Sequence, residues 1–173
     1  MNKEQFAVFA AALRTFYPRE QLLPNDKAME LWYQQLKDIP YEIAEITLQR
    51  WVSTNRWSPS IADIREHAAM IRCGEKPLWS DGWEEVLKAI RYFGSYRETE
   101  ALQSMSPITR QVVKRLGFRN LCMAEDIMAD RANFRMIYEQ IADREQTAKQ
   151  LSPGLTQLIE SARISQNLLE TKE

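Results

Sequence analysis

Apolar residues recur along this chain at intervals of three and four, which is the period of an amphipathic helix. In residues 3–17 the apolar stripe consists of Phe6, Phe9, Leu13 and Phe16, and Pro18 stops the helix. Similar stripes predict further helices that start near residues 26, 40, 60, 80, 96, 106, 126 and 155. Segments with the strict alternation of a strand are hard to find. The pattern therefore predicts an all-α fold.

Short local signals place several helix ends. Ser60 followed by Asp63 has the spacing of a capping box, which predicts the start of the fourth helix. Ser106-Pro107 suits the cap and the first position of a later helix, and Gly117 lies just past its predicted end. These signals divide the chain into helices before any contact between them is known.

Two breaks in the helical pattern suggest how the chain is divided into domains. Residues 74–77 are polar and contain Gly and Pro, and Ser80 or Asp81 is expected to cap the first helix beyond them. A second break lies at residues 151–154. We expect a compact N-terminal four-helix domain at 1–73, a second helical domain at 78–150, and a C-terminal amphipathic segment at 151–173.

The residue types argue against catalysis. The five glycines are isolated, so neither a Walker loop nor a dinucleotide-binding fingerprint is present. His67 is the single histidine, and its offset from Cys73 across a helix end does not define a nucleophile and base. The other cysteine, Cys122, has no metal-ligand spacing to either. We expect no enzymatic activity, no cofactor and no metal site.

The length of the apolar runs and the two cysteines bear on the compartment. No apolar run reaches the 18 or more residues that a membrane span needs, and the N-terminus reads as a helix rather than a signal peptide. Two cysteines far apart in the chain do not form a disulfide scaffold. We expect a reduced cytoplasmic compartment and no membrane partner.

Charge is balanced overall but not locally. The chain has a formal net charge of −1, so it has no strong overall attraction for nucleic acid. Residues 88–119 nevertheless contain seven basic and two acidic residues, interleaved with aromatic ones. We favour a solvated face that pairs with the acidic segments on either side, and a nucleic-acid surface is the alternative. Its candidate contacts are Lys88, Arg91, Arg110, Lys114 and Arg115.

Two other residue types are notable. The five tryptophans favour core packing, with Trp57 the expected exception because it lies in a polar turn beside Arg56. Four methionines in the second half, at 105, 123, 128 and 136, could form an adaptable binding surface. Core filling is the more common use of methionine, and we favour it.

The residue order also resembles a known family. In residues 31–66, LWYQQLKDIPYEIAEITLQRWVSTNRWSPSIADIRE, two helical patterns lead through an aromatic-Ser-Pro-Ser turn into Ile-Ala-Asp-Ile-Arg. This order is similar to the helical domain of the bacteriophage replicative helicase loader and inhibitor proteins, over about residues 5–72. Residues 83–102, 106–118 and 134–145 resemble the downstream half that accompanies this domain in longer phage proteins.

The resemblance implies a protein of phage DNA replication that acts in the cytoplasm of a bacterial host. Such a protein binds a hexameric replicative helicase of the DnaB type, inhibits it, and delivers it to the origin through an origin-binding initiator protein. It needs no ATPase site of its own. By analogy with the family, the C-terminal segment is expected to contact the helicase through Leu155, Leu158, Ile159 and Ala162. Arg56 and Trp57 are expected to contact the initiator or another partner, and a DNA-binding regulatory module that uses residues 88–119 is the competing hypothesis.

Overall fold

The computed structural model describes residues 1–170, with side chains described through residue 164. Within this part of the chain there are ten α-helices and no strand, which confirms the predicted all-α fold. The helices are α1 (Lys3–Phe16), α2 (Asp26–Leu36), α3 (Tyr41–Thr54), α4 (Ile61–Cys73), α5 (Trp79–Phe93), α6 (Glu98–Ser104), α7 (Pro107–Leu116), α8 (Phe118–Cys122), α9 (Ile127–Gln150) and α10 (Pro153–Glu170).

The chain divides into two compact units. Unit 1 consists of Met1–Glu75 and the chain from Thr147 onward, and unit 2 consists of Lys76–Gln146. The predicted C-terminal segment thus groups with unit 1 rather than with the helices directly before it. Independent folding of the segments 1–73, 78–150 and 151–173 stays a prediction.

Unit 1 is built on the apolar faces of α1 to α4. Leu13, Leu36 and Ile64 come from three different helices and have 1% or less of their surface exposed. The remaining buried members of this core are Phe6, Phe9, Ala10, Tyr17, Leu23, Ile39, Ala44, Leu48 and Ala68. These residues include the aromatic stripe predicted for the first helix, except Phe16, which is half exposed. The sequence period thus identified the buried face of α1 up to its last turn.

Side chains close the helix ends of unit 1. Asn25 caps α2 by accepting a hydrogen bond from the Ala28 backbone N–H at 2.9 Å. Ser60 and Asp63 form the predicted capping box, with Ser60 N donating to Asp63 Oδ2 at 2.8 Å and Asp63 N donating to Ser60 Oγ at 3.2 Å. The box fixes the start of α4 and, with it, the direction of the turn that precedes this helix.

Unit 2 has its own core. Phe134 of α9 is fully buried, and its ring centroid lies 5.2 Å from Trp83 and 5.6 Å from Tyr138. Gly82 of α5 allows a close approach here, because a Cβ atom at this position would lie 2.5 Å from Tyr138 Cε2. The other buried residues are Val86, Ala89, Ala101, Met105, Ile108, Val112, Val113, Phe118, Leu121, Ile141 and Ala142.

Several local expectations for unit 2 were wrong. Helix α5 begins at Trp79 after Leu78, and no side chain caps it, so neither Ser80 nor Asp81 has the predicted capping role. A 3₁₀ turn at Gly94–Tyr96 replaces the first residues of the helix expected from residue 96. The five-residue helix α8 was not predicted, because it is too short to show an apolar period.

Candidate protein-interaction site

The turn between α3 and α4 is rigidly held, and it presents a tryptophan to solvent. Trp51 Nε1 donates to the main-chain oxygen of Trp57 at 2.8 Å, and Pro59 is fully buried beneath the turn. The side chain of Trp57 is 78% exposed. An aromatic ring this large is rarely left in water on a fixed turn without a partner to cover it.

The loop between α1 and α2 is tied to this turn. The Glu20 carboxylate accepts from the Ser58 backbone N–H at 3.2 Å and also from the Ser58 hydroxyl, across 38 positions of sequence. Arg14 holds the other side of the loop by donating to the main-chain oxygens of Leu22 and Leu23. The two segments therefore form one surface, although the sequence separates them.

A groove of about 540 Å³ lies between the loop and the turn. Phe16, at the end of α1, is 49% exposed beside it, and Trp57 faces it from the other segment. The full lining is Phe16, Tyr17, Pro18, Arg19, Glu20, Arg56 and Trp57. Sequence reasoning selected Arg56 and Trp57 but missed the residues from 16 to 20, because only the folded chain brings the two segments together.

The groove combines two cationic side chains with an anchored carboxylate. Arg19 and Arg56 are exposed, and no carboxylate in the described part of the chain forms an ion pair with either. Burial raises the pKa of the Tyr17 phenol, and the nearby Glu20 charge raises it further, so this hydroxyl stays protonated. Tyr17 can therefore donate, and its nearest acceptor is the Asn55 main-chain oxygen at 3.4 Å.

The predicted helicase-contact residues all lie on α10. At 100° per residue, Leu155, Leu158, Ile159 and Ala162 fall within an arc of about 100° on one side of the helix. Leu158 is 69% exposed, Leu155 is 42% exposed and Ala162 is exposed, whereas Ile159 is half-buried. The structure thus places the four residues on one mostly uncovered apolar face.

The basic segment is less uniform than its sequence suggests. Arg110 donates to the main-chain oxygens of Leu102, Gln103 and Met105 at 2.7, 3.2 and 3.0 Å, so its guanidinium is used to close the end of α6. Lys88 forms an exposed pair with Glu84 at 3.7 Å on the same helix. Arg91, Lys114 and Arg115 are exposed. The five residues proposed to contact nucleic acid therefore differ in how free their charges are.

Further exposed residues of unit 2 were not expected. Met105 is buried, but Met123, Met128 and Met136 are 68%, 72% and 61% exposed, so core filling was the wrong choice for three of the four methionines. Tyr96 is 95% exposed in the turn before α6. No sequence signal separates these residues from buried ones, because helix period does not show which face a neighbour covers.

The histidine and cysteines are placed as expected for residues without catalytic roles. His67 packs edge-on against Trp51, with ring centroids 5.0 Å apart. Cys73 is six positions further along α4, roughly 9 Å along the helix axis. Burial raises the pKa of the Cys122 thiol, and Glu98 adds to the effect, which disfavours a reactive thiolate.

Metal clusters and membrane spans were both sought over the described residues. No group of His, Cys, Asp and Glu side chains there is arranged to hold a metal ion. None of the helices in that part of the chain combines the length and the apolar character that crossing a bilayer requires.

Comparison with known proteins bears on unit 1. Residues 1–65 match the family model for the N-terminal domain of the phage helicase loader and inhibitor proteins, and every residue that lines the groove lies within this match. No curated protein and no solved structure matches the chain. Residues 1–65 therefore belong to this N-terminal domain family of phage helicase loaders and inhibitors.

Proposed function

We propose that this chain is a phage DNA-replication protein that binds a hexameric replicative helicase, holds it inactive, and delivers it to the origin through an initiator protein. The family match over residues 1–65 is the observation that carries the proposal. The chain acts here by binding alone, so ATP hydrolysis stays with the helicase.

Helicase docking is assigned to the apolar face of α10. A helix with an uncovered apolar stripe can enter a hydrophobic groove of a partner, with side chains at three- and four-residue spacing as anchors. Leu155, Leu158 and Ala162 supply that spacing and are exposed, and Ile159 extends the stripe. The match ends before α10 begins, so this assignment rests on the exposed face and on the analogy with the family.

The initiator contact is assigned to the turn that carries Arg56 and Trp57. This turn lies within the matched domain, is held from both sides, and exposes one aromatic and one cationic side chain. Tryptophan and arginine are the residue types that most often dominate binding energy at protein interfaces. The two proposed contacts use different parts of the chain, so one protein can hold both partners at once.

The test is to mix the purified protein with its cognate replicative helicase and to measure complex mass and ATP hydrolysis. We expect co-elution and a fall in helicase ATPase activity. Separate elution together with unchanged ATPase activity would refute the proposed function.

A matched pair of variants locates the contact. Leu158→Asp places a charge in the apolar stripe, whereas Ile164→Asp places it roughly 170° from the centre of the stripe on the same helix. The two side chains are similarly exposed, at 69% and 61%. Because burying a leucine contributes about 1.5–3 kcal/mol, we expect Leu158→Asp to weaken binding by roughly 10- to 100-fold and Ile164→Asp to have little effect. Equal effects would show that helicase contacts a different surface.

A further inference from the structure

We infer that the groove between the α1–α2 loop and the α3–α4 turn binds an acidic, partly apolar peptide segment of a partner protein. The inference rests on the proposed initiator contact at Arg56 and Trp57, and it adds the chemistry of what is bound there. The occupant is an extended segment in which carboxylates alternate with apolar side chains.

Charge is the first argument. Arg19 and Arg56 come from the two different segments that form the groove, and both are exposed without an ion pair in the described part of the chain. A guanidinium can bind a carboxylate through two parallel hydrogen bonds, which gives direction as well as attraction. Two such groups on one groove favour an occupant with at least two carboxylates.

The apolar surface is the second argument. Trp57 and Phe16 expose most and about half of their surfaces respectively, and Pro18 adds a third apolar lining residue. Covering these rings supplies affinity that the charges alone do not provide. Because the Glu20–Ser58 and Trp51–Trp57 hydrogen bonds already hold the backbone, little ordering of the main chain is needed when a partner binds.

Single-stranded nucleic acid would also place phosphates on arginines and a base on tryptophan. Glu20 argues against it, because its carboxylate lines the groove and is held there by Ser58. A phosphate backbone carries a negative charge at every nucleotide and would be repelled by this carboxylate. A peptide can place a neutral or basic residue opposite Glu20 and its own carboxylates opposite Arg19 and Arg56.

The experiment uses the full-length protein and three fluorescein-labelled probes in anisotropy titrations. The first is a 12-residue peptide in which Glu alternates with Leu and Phe, the second has Lys in place of every Glu, and the third is a 12-nucleotide oligo(dT). We expect the acidic peptide to bind at least tenfold more tightly than either of the others, with affinity that falls as salt is raised.

Variants connect the binding to the groove. Arg19→Glu with Arg56→Glu should weaken the acidic peptide at least tenfold, and Trp57→Ala should also weaken it. Lys27→Glu makes the same charge change at an exposed position of unit 1 outside the groove, and should leave the affinity within about twofold. Circular dichroism melts of each variant establish that it is folded before its affinity is compared.

The outcomes are distinct. Equal binding of the acidic and lysine peptides, no binding of the acidic peptide, or no response to the arginine variants overturns the inference, and tighter binding of oligo(dT) overturns it in favour of nucleic acid. If the acidic peptide fails but the initiator protein co-elutes with the wild type and not with Trp57→Ala, the proposed initiator contact survives without this chemistry. If the peptide binds as expected and the initiator does not co-elute, the groove chemistry stands and the partner must be another protein.

Discussion

Replacing Arg65 by Met tests how unit 1 is held together away from its apolar core. Arg65 lies on α4, and its guanidinium donates two hydrogen bonds to the Asp38 carboxylate at 2.9 and 2.8 Å. It also donates to the main-chain oxygens of Gln35 and Gln150. The side chain is only 13% exposed, so one group joins the end of α2 and the end of α9 to α4.

The magnitude follows from what the substitution leaves behind. Methionine fills much of the arginine volume, but the Asp38 carboxylate, 20% exposed, loses its partner. Breaking a buried ion pair from one side costs about 3–5 kcal/mol, and the remaining exposure of Asp38 places the expected loss near the lower end, at about 3 kcal/mol. For a chain of this size, that corresponds to a fall in melting temperature of roughly 6–12 °C.

The effect should depend on pH with a defined sign. Burial alone raises the pKa of Asp38, but the hydrogen bonds and charge of Arg65 outweigh it, so the pKa in the folded protein lies below its ordinary value. A depressed carboxyl pKa contributes stability above the unfolded value of about 3.9, and this contribution is lost as pH falls through the folded pKa. The difference between wild type and Arg65→Met should therefore be full at pH 7 and should narrow below about pH 4.

Urea denaturation followed by circular dichroism at several pH values measures this difference. Arg72→Met is the matched control, because it makes the same change at an exposed position of the same helix, and we expect it to cost less than about 0.5 kcal/mol. Adding Asp38→Asn to Arg65→Met should recover part of the loss, since no unpaired charge then remains. Equal costs for the two arginine variants, or a difference that does not change with pH, would refute the reasoning.

Three further predictions concern unit 2. Arg110→Ala should lower stability by about 2 kcal/mol in urea denaturation, because three main-chain oxygens lose a charged donor, yet leave the salt dependence of DNA binding unchanged; if residues 88–119 do bind DNA, Arg115→Ala should instead flatten that dependence at little cost in stability. Gly82→Ala should cost about 1–3 kcal/mol in the same assay because its Cβ would meet the ring of Tyr138, and a neutral result would show that the ring can move aside. Gln146→Leu should raise the melting temperature in calorimetry by a few degrees, because both polar atoms of this buried amide lack a hydrogen-bond partner, and a lower melting temperature would contradict that explanation.

Predictions from sequence succeeded where the controlling interactions are local. The apolar stripe of α1 and the capping box of Ser60 and Asp63 each depend on residues three or four positions apart, so the residue order alone contains the information. The uncapped start of α5 and the exposed methionines were mispredicted, because they depend on which neighbouring helix covers a given face. The same limit applies to the candidate site, where Arg56 and Trp57 were found and Phe16, Arg19 and Glu20 were not.

The sequence by itself determined that the chain is helical, where most of its helices begin and end, and which family its first third resembles. Tertiary structure decided how those helices are used. It joined Glu20 to Ser58 across 38 residues and so made one groove from two segments, and it engaged Arg110 with the carbonyl oxygens at the end of α6 while leaving Arg115 in solvent. The physical reason is range, since caps and helix period act within one or two turns, whereas exposure and charge pairing depend on residues that only folding brings into contact.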